Sequence, residues 1–386
     1  MTTTKRLLTL ASTVILPLLS TQSIAAEITP PKLDNTAYVL MDFNTGEILA
    51  EKNADAPLPP ASLTKLMTSY LIEDKLTNGE LKEEDPVVMS KNAWCGGSGS
   101  QSCMYVEVNQ SASVLDMLKG IVIQSGNDAA VAMAEHIAGD EASFANMMNE
   151  KAKQLGMNNT HFVNSTGMPA KGHEASARDL AILARSIIAK GGKYYDIYSE
   201  KEFTFNGIKQ GNRNTLLLSD PTVDGLKTGH TNAAGYCLVA SSKKGDMRLI
   251  SVIMGTKSMQ QRADQSRSLL KWGFGHFSTV NAAPKGQFVT RAPVWGGKEK
   301  DVEVVTADDL NVLTLKSQND KISTIINLDE TVEAPILKGQ PVGKMMAVVN
   351  GKTVASVDVI ANQDVEQANI ISRSFQNLWR WIKGLF

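Results

Sequence analysis

Pro59 and Pro60, followed by apolar residues at Leu63, Leu66, Met67, Tyr70 and Leu71, place a helix near the start of the chain, and the rest is arranged around it. The prolines stop whatever precedes them and favour helix initiation just after. The apolar positions recur at helical spacing. Ser62 falls in the first turn and Lys65 three residues on, so both side chains share one face, with the amine in reach of the hydroxyl proton. The positive backbone field of a helix N-terminus also favours an oxyanion beside Ser62. The pair reads as a nucleophile with its own base. Alone it decides nothing, because the same spacing recurs at Ser241/Lys244 and Ser268/Lys271.

At 386 residues, 42% apolar and 20% charged, the chain describes a soluble globular protein of about two domains. A net charge of −1 and the absence of a basic tract leave no nucleic-acid footprint. The five histidines and three cysteines show no zinc spacing, and no metal or cofactor is expected.

Residues 1–25 read as a secretory signal: Lys5 and Arg6, an apolar run from Leu7 to Leu19, then Ser23 and Ala25 as a small-x-small cleavage pattern. An exported chain permits a disulfide. Cys95 and Cys103 close a Gly- and Ser-rich loop; they either pair or are merely close in sequence. Cys237 reads as a small buried apolar residue.

Strands are expected at Ala37–Asp42 and Glu47–Glu51, joined by Asn44-Thr45-Gly46. Helices are expected at Ser113–Gln124, Asp128–Ala138, 141–155, Ala177–Lys190 and Met259–Gly273. The turn Ser125-Gly126-Asn127 separates two buried helices and sits at an internal edge. Residues 161–179, with Gly167, Pro169 and Gly172, form a structured loop. Strand-like runs follow at Leu226–His230, Tyr236–Ser241 and Arg248–Met254. From about Val280, short alternating runs (Val302–Val305, Asn311–Leu315, Ile322–Ile326, Lys344–Val349) mark a small β domain over 280–365. In 366–386, Ile371, Phe375, Leu378, Ile382 and Leu385 form one helix face, widened by Trp379, Trp381 and Phe386 and set among Arg373, Arg380 and Lys383. This suits a helix lying in a membrane surface; the alternative is a terminal helix packed on its own domain.

Val223-Asp-Gly-Leu-Lys227-Thr228-Gly229-His230 changes the weight of the opening pair. An ammonium, a hydroxyl and a glycine at the start of a strand make a compact carboxylate site, the glycine giving a ligand clearance. The order S-x-x-K, S-x-N, K-T-G then falls at Ser62, Ser125 and Lys227, on a helix, between helices and on a strand. That set belongs to class A β-lactamases and penicillin-binding proteins, with an aspartate in the middle element. With P-A-S-L-T-K-L-M-T at 60–68, I-Q-S-G-N-D-A at 123–129, N-R-N at 212–214 and D-G-L-K-T-G-H-T at 224–231, the chain resembles the D-alanyl-D-alanine carboxypeptidases among low-molecular-mass penicillin-binding proteins along nearly all its length. The resemblance implies an α+β fold: a β-lactamase/transpeptidase-like domain over 26–279, an antiparallel sheet with a helical lobe, then the β-rich domain and the amphipathic C-terminal helix.

It also implies roles. Ser62 attacks a peptidoglycan stem peptide between its terminal D-alanines, and Lys65 is the general base. Lys65 must then titrate below its free pKa of about 10.4, through burial and nearby Lys227. Ser125 relays a proton to the leaving amine, and Asn127 orients Lys65 or the substrate amide. Lys227 and Thr228 hold the terminal carboxylate, with Arg213 as a second cation, and the N–H groups of Ser62 and His230 form the oxyanion hole. Penicillin would acylate Ser62, and the mature protein would sit on the periplasmic face of the inner membrane. The loop 171–179 departs from the relatives' H-x-S-T-A-R-D, with Ala175 and Ser176 in place of Ser and Thr, and Glu174 reads as surface. The Cys95/Cys103 loop is foreign to the family; it flanks the cleft and tunes access. A β-lactamase, a D,D-endopeptidase and a non-enzymatic wall scaffold are the rival readings.

Overall fold

A computed structural model describes residues 28–96, 101–329 and 331–369. The expected signal segment and most of the expected C-terminal helix therefore lie outside the described residues.

The centre of the first domain is an antiparallel sheet of five strands. β1 (Ala37–Asp42) pairs with β2 (Ile48–Lys52) on one side and, more than 200 residues on in sequence, with Met247–Thr256 on the other. Every residue of β1 is buried, because helices cover both faces of the sheet. On one side Val39, Met41, Ile250 and Val252 join the core of the helical lobe. On the other, Tyr38, Leu40 and Leu249 pack with Leu269, Leu270 and Phe274.

The lobe begins with a single 3-10 turn, Ala61–Thr64, running directly into α1 (Lys65–Thr77). A short ribbon, β3 (Pro86–Val88) with β4 (Ser111–Ser113), leads to α2 (Val114–Lys119), capped by the Ser113 hydroxyl, which accepts from Asp116 N–H at 3.1 Å. The helix expected to run unbroken to Gln124 instead widens into a π turn over Gly120–Gln124 and stops at Ser125. α3 (Asn127–Ala138), α4 (Glu141–Gln154), α5 (Ala177–Lys190) and the short α6 (Gly192–Asp196) complete the lobe. A hairpin not foreseen from sequence, β5 (Glu202–Phe205) with β6 (Ile208–Gly211), projects beside them. After α7 (Leu216–Ser219), the chain enters the sheet as β7 (Val223–Thr231), β8 (Gly235–Lys244) and β9 (Met247–Thr256), giving the order β2-β1-β9-β8-β7. α8 (Met259–His276) then covers the second face.

The C-terminal part is β-rich. β10 (Phe277–Ala283) pairs with β13 (Leu310–Leu315). β11 (Phe288–Trp295), β12 (Asp301–Thr306), β14 (Ile322–Leu328), β15 (Val332–Glu333), β16 (Pro341–Val349) and β17 (Lys352–Ala361) form a six-stranded sheet in the order β14-β16-β17-β12-β11-β15. Its core is small and valine-rich: Val294, Val302, Val304, Val312, Val342 and Val359. Asn350 and Gly351 take positive φ in the β16–β17 turn, the geometry an Asn-Gly pair supplies. A helix does not begin at Glu366: Gln367 bridges Gly297, and Ala368 N–H donates to the Gly296 carbonyl at 2.8 Å. Among the described residues no helix is long and apolar enough to cross a membrane.

Candidate active site

Ser62 sits on the 3-10 turn, half-buried, with Ala61 before it at φ 49°, a left-handed conformation an alanine rarely adopts. Two close approaches hold that turn. A Cβ on Gly229 would lie 3.0 Å from the Pro60 carbonyl oxygen and 3.2 Å from Leu63 N, so β7 is pressed against the turn. A Cβ on Gly167 would lie 1.8 Å from the Ala61 oxygen. The space at Gly229, expected to give a ligand clearance, is thus taken by the Ser62 turn itself.

Lys65 is fully buried beneath the serine. Its Nζ donates to Asn127 Oδ1 at 2.6 Å and to the Thr166 carbonyl at 2.7 Å, and lies 3.2 Å from Ser62 Oγ. Two of these partners accept only; the third is a hydroxyl that can also donate. A neutral amine fits this triad, with two N–H groups spent on the acceptors and the lone pair facing the Ser62 hydroxyl. Burial pulls its pKa down to about 7; Asp128 and Glu141 oppose this, and Arg213 adds to it. Arg213 is thus a further cation beside Lys65, and the Lys65–Lys227 repulsion expected from the sequence is felt at Lys227.

Ser125 ends the π turn in the left-handed region (φ 63°, ψ 33°), buried, and opens onto the same cleft. Asn127, the first residue of α3, reaches Lys65 with its oxygen and donates from Nδ2 to Gln101 Oε1 at 3.0 Å. Behind it the buried Asp128 carboxylate accepts from the N–H groups of Met104 (2.8 Å) and Tyr105 (2.8 Å), fixing the chain that leaves Cys103. Cys95 and Cys103 are disulfide-bonded, and Cys237 is buried and free.

Across the cleft, β7 presents Thr228 and Gly229, with Lys227 buried alongside. Burial first, then the charges of Lys65, Arg213 and Arg262, hold Lys227 well below the usual lysine range. Arg213, Arg262 and Lys227 gathered on this side of the cleft suit an anion. Arg213 lines the cleft and donates to the Gln124 carbonyl at 3.2 Å. His230 stacks on Tyr236 with ring centroids 3.9 Å apart. Ser62, Ser125, Asn127, Arg213, Thr228 and His230 border one cleft of about 1150 Å³, and Lys65 and Lys227 lie beneath its surface.

The structure brings together the residues to which the resemblance gave roles and adds several. Thr166 supplies a carbonyl to Lys65, and the loop bearing it is tied by Asn164 Oδ1, which accepts from Gly167 N–H at 2.7 Å. His173 bridges that loop to the nucleophile's turn: Nδ1 accepts from Val163 N–H at 2.9 Å, leaving Nε2–H for Thr64 Oγ1 at 2.7 Å. Burial lowers its pKa to about 4, so it stays neutral and structural. Arg262, buried, donates to the Gly229 carbonyl at 3.2 Å. The glycines of 161–179 marked a structured loop, but nothing in its spacing gave its partners. Among the described residues no group of acidic, histidine and cysteine side chains is placed to hold a metal ion.

Comparison with known proteins agrees with this geometry. Residues 24–258 match the D-alanyl-D-alanine carboxypeptidase profile, and residues 277–367 match the C-terminal domain of penicillin-binding protein 5. The chain is 42% identical over 371 residues to the D-alanyl-D-alanine carboxypeptidase DacC of Escherichia coli, covering 94% of this chain and 92% of that one. The crystal structure of penicillin-binding protein 5 from Haemophilus influenzae is 40% identical, with a TM-score of 0.80 over 88% of this chain and 99% of that one. Penicillin-binding protein D2 of Listeria monocytogenes, solved in a cefotaxime-bound form, is 31% identical, with a TM-score of 0.59 over 64% of this chain and 99% of that one. On its fold, its motifs and these likenesses, the chain belongs to the D-alanyl-D-alanine carboxypeptidase family of low-molecular-mass penicillin-binding proteins.

Proposed function

We propose that this serine-type D-alanyl-D-alanine carboxypeptidase, an enzyme of peptidoglycan remodelling, removes the terminal D-alanine of pentapeptide stems through an acyl-enzyme on Ser62. The observation that carries this is the buried Lys65, its N–H groups committed to Asn127 and Thr166 and its remaining contact the Ser62 hydroxyl. Ser62 Oγ attacks the penultimate carbonyl carbon as its proton passes to Lys65 Nζ. The developing oxyanion lies between the N–H groups of Ser62 and His230, neighbours because Gly229 packs on the serine's turn. Collapse breaks the C–N bond, and the leaving amine takes a proton relayed through Ser125. Lys227, Thr228 and Arg213 hold the terminal carboxylate, whose charge opposes the burial and cationic repulsion that lower the Lys227 pKa. Water then releases the shortened stem.

A β-lactam, carrying a carboxylate and a strained amide, acylates the same serine. Export across the inner membrane, the division of the chain at about 279/280 and attachment to the membrane surface through 366–386 complete the reading. They are supported by the signal-like N-terminus, the change from helical lobe to β-strands after α8, and the aromatic and basic C-terminal sequence. A fluorescent penicillin should label the wild type and not Ser62→Ala, and cells expressing the wild type should lose pentapeptide stems without losing cross-linked dimers. Labelled Ser62→Ala would remove Ser62 from the mechanism; loss of dimers would move the activity to cross-link cleavage.

A further inference from the structure

The two ends of the Asn127 amide are held by different parts of the molecule. Oδ1 accepts from Lys65 at 2.6 Å, while Nδ2 donates to Gln101 Oε1 at 3.0 Å. Gln101 lies inside the loop that the disulfide closes, two residues before Cys103, and the stretch from it to Tyr105 is tied down on several sides. Ser102 O accepts from Asn127 N–H at 2.8 Å, Cys103 O accepts from Gln210 Nε2 at 3.0 Å, and Cys103 is bonded to Cys95. Directly after Cys103, Met104 and Tyr105 donate to Asp128.

The orientation of that amide matters for the chemistry. Rotated by half a turn, Asn127 would aim an N–H at Lys65 Nζ and compete for the lone pair that must receive the Ser62 proton. In the observed orientation it takes an N–H from Lys65 and leaves the lone pair to the serine. An acceptor at Gln101 selects this orientation, because an unpartnered Nδ2 in a partly buried site would lose its hydrogen bond.

We propose that Gln101, clamped by the Cys95–Cys103 disulfide, is a positioning residue for acylation that fixes the Asn127 amide so that Lys65 accepts the Ser62 proton. The inference rests on the roles given to Ser62, Lys65 and Asn127 above. It is tested by measuring the second-order rate of acylation of the purified, oxidised full chain by a fluorescent penicillin from pH 5 to 9. The variants are Gln101→Ala, Gln101→Glu and the pair Cys95→Ser/Cys103→Ser, with Ser62→Ala as reference.

Gln101→Ala should acylate about 3- to 10-fold more slowly, the worth of one hydrogen bond. Its acid limb should move to lower pH, because a turned amide favours the neutral amine. Gln101→Glu is nearly isosteric and keeps the acceptor while adding a negative charge near Lys65. Its acid limb should move upward by about one unit. The serine pair should slow acylation in the same sense as Gln101→Ala. Opposite movements of the acid limb in the two Gln101 variants are what a merely structural loop would not produce. Wild-type rates and limbs in both Gln101 variants, or equal movement in one direction, overturn the proposal; a wild-type rate in the serine pair removes the disulfide's part in it. Labelling of Ser62→Ala would instead overturn the nucleophile assignment on which the proposal stands.

Discussion

Ala61 and Gly167 show how tightly the backbone around the nucleophile is specified. Ala61 holds φ at 49°, and Gly167, at φ 85°, leaves room for the Ala61 carbonyl where a Cβ would lie 1.8 Å away. Gly167→Ala must therefore push the turn or the loop aside and displace the Thr166 carbonyl from Lys65. It should cost about 2–4 kcal/mol in denaturant unfolding and slow penicillin acylation strongly. Gly79→Ala is the control: its φ of 76° is also left-handed, but nothing lies within 4 Å of its Cβ position. It should cost about 1 kcal/mol and leave acylation unchanged. Equal effects from the two alanines would contradict the packing argument. Ser62, Lys65, Ser125, Asn127, Lys227 and Thr228 were legible because each stands in a short motif. Thr166 was not, because a backbone carbonyl 101 positions from its lysine leaves no mark in local spacing. Gln101 was hidden for the same reason.

Helix α1 is buried nearly all round, polar positions included: Thr68, Ser69 and Glu73 are buried with Leu66, Met67 and Ile72. Glu73 receives the Tyr198 hydroxyl at 2.7 Å, and burial raises its pKa to about 7 from an ordinary 4.5. The folded state thus binds this proton more tightly than the unfolded chain. Stability from the group is complete below about pH 4.5 and is lost as pH rises through about 7. Glu73→Gln keeps an acceptor for Tyr198 and cannot titrate. The stability of wild type relative to this variant should fall by on the order of 3 kcal/mol between pH 4.5 and 7.5, read by urea unfolding. Parallel pH profiles would contradict a protonated Glu73. Among the elements, α5 was read at its observed bounds because Ser176 caps it and the apolar stripe is regular. The hairpin β5–β6 was missed because its alternation is short and mostly exposed, and the π turn at Gly120–Gln124 because periodicity cannot distinguish it from α-helix.

For the whole molecule, the site exists only because the lobe and the sheet meet: α1 and α3 bring Lys65 and Asn127, and β7 brings Lys227 and Thr228. Strand runs at 226–230, 236–241 and 248–254 were legible, but not that β1 pairs with β9 in the middle of the sheet, since pairing partners far apart in sequence carry no local signal. In the second domain the apolar alternation was visible over β12, β13, β14 and β16, while the proline in β11 and the polar residues of β17 concealed theirs. The C-terminal sequence carries the expected attachment to membranes. A chain ending at Asn369, which keeps the Gln367–Gly297 bridge, should pass to the soluble fraction with its penicillin acylation rate unchanged. Persistence in the membrane fraction would contradict the attachment.

The central claim is that Lys65 is a neutral amine poised to take the Ser62 proton. Its most direct test is the pH titration of the Lys65 ε-carbon by ¹³C NMR in lysine-labelled protein, the resonance assigned by its absence from Lys65→Arg. The geometry gives a midpoint near pH 7. A midpoint near the ordinary 10.5 would leave Lys65 charged when Ser62 must attack, and would contradict the account.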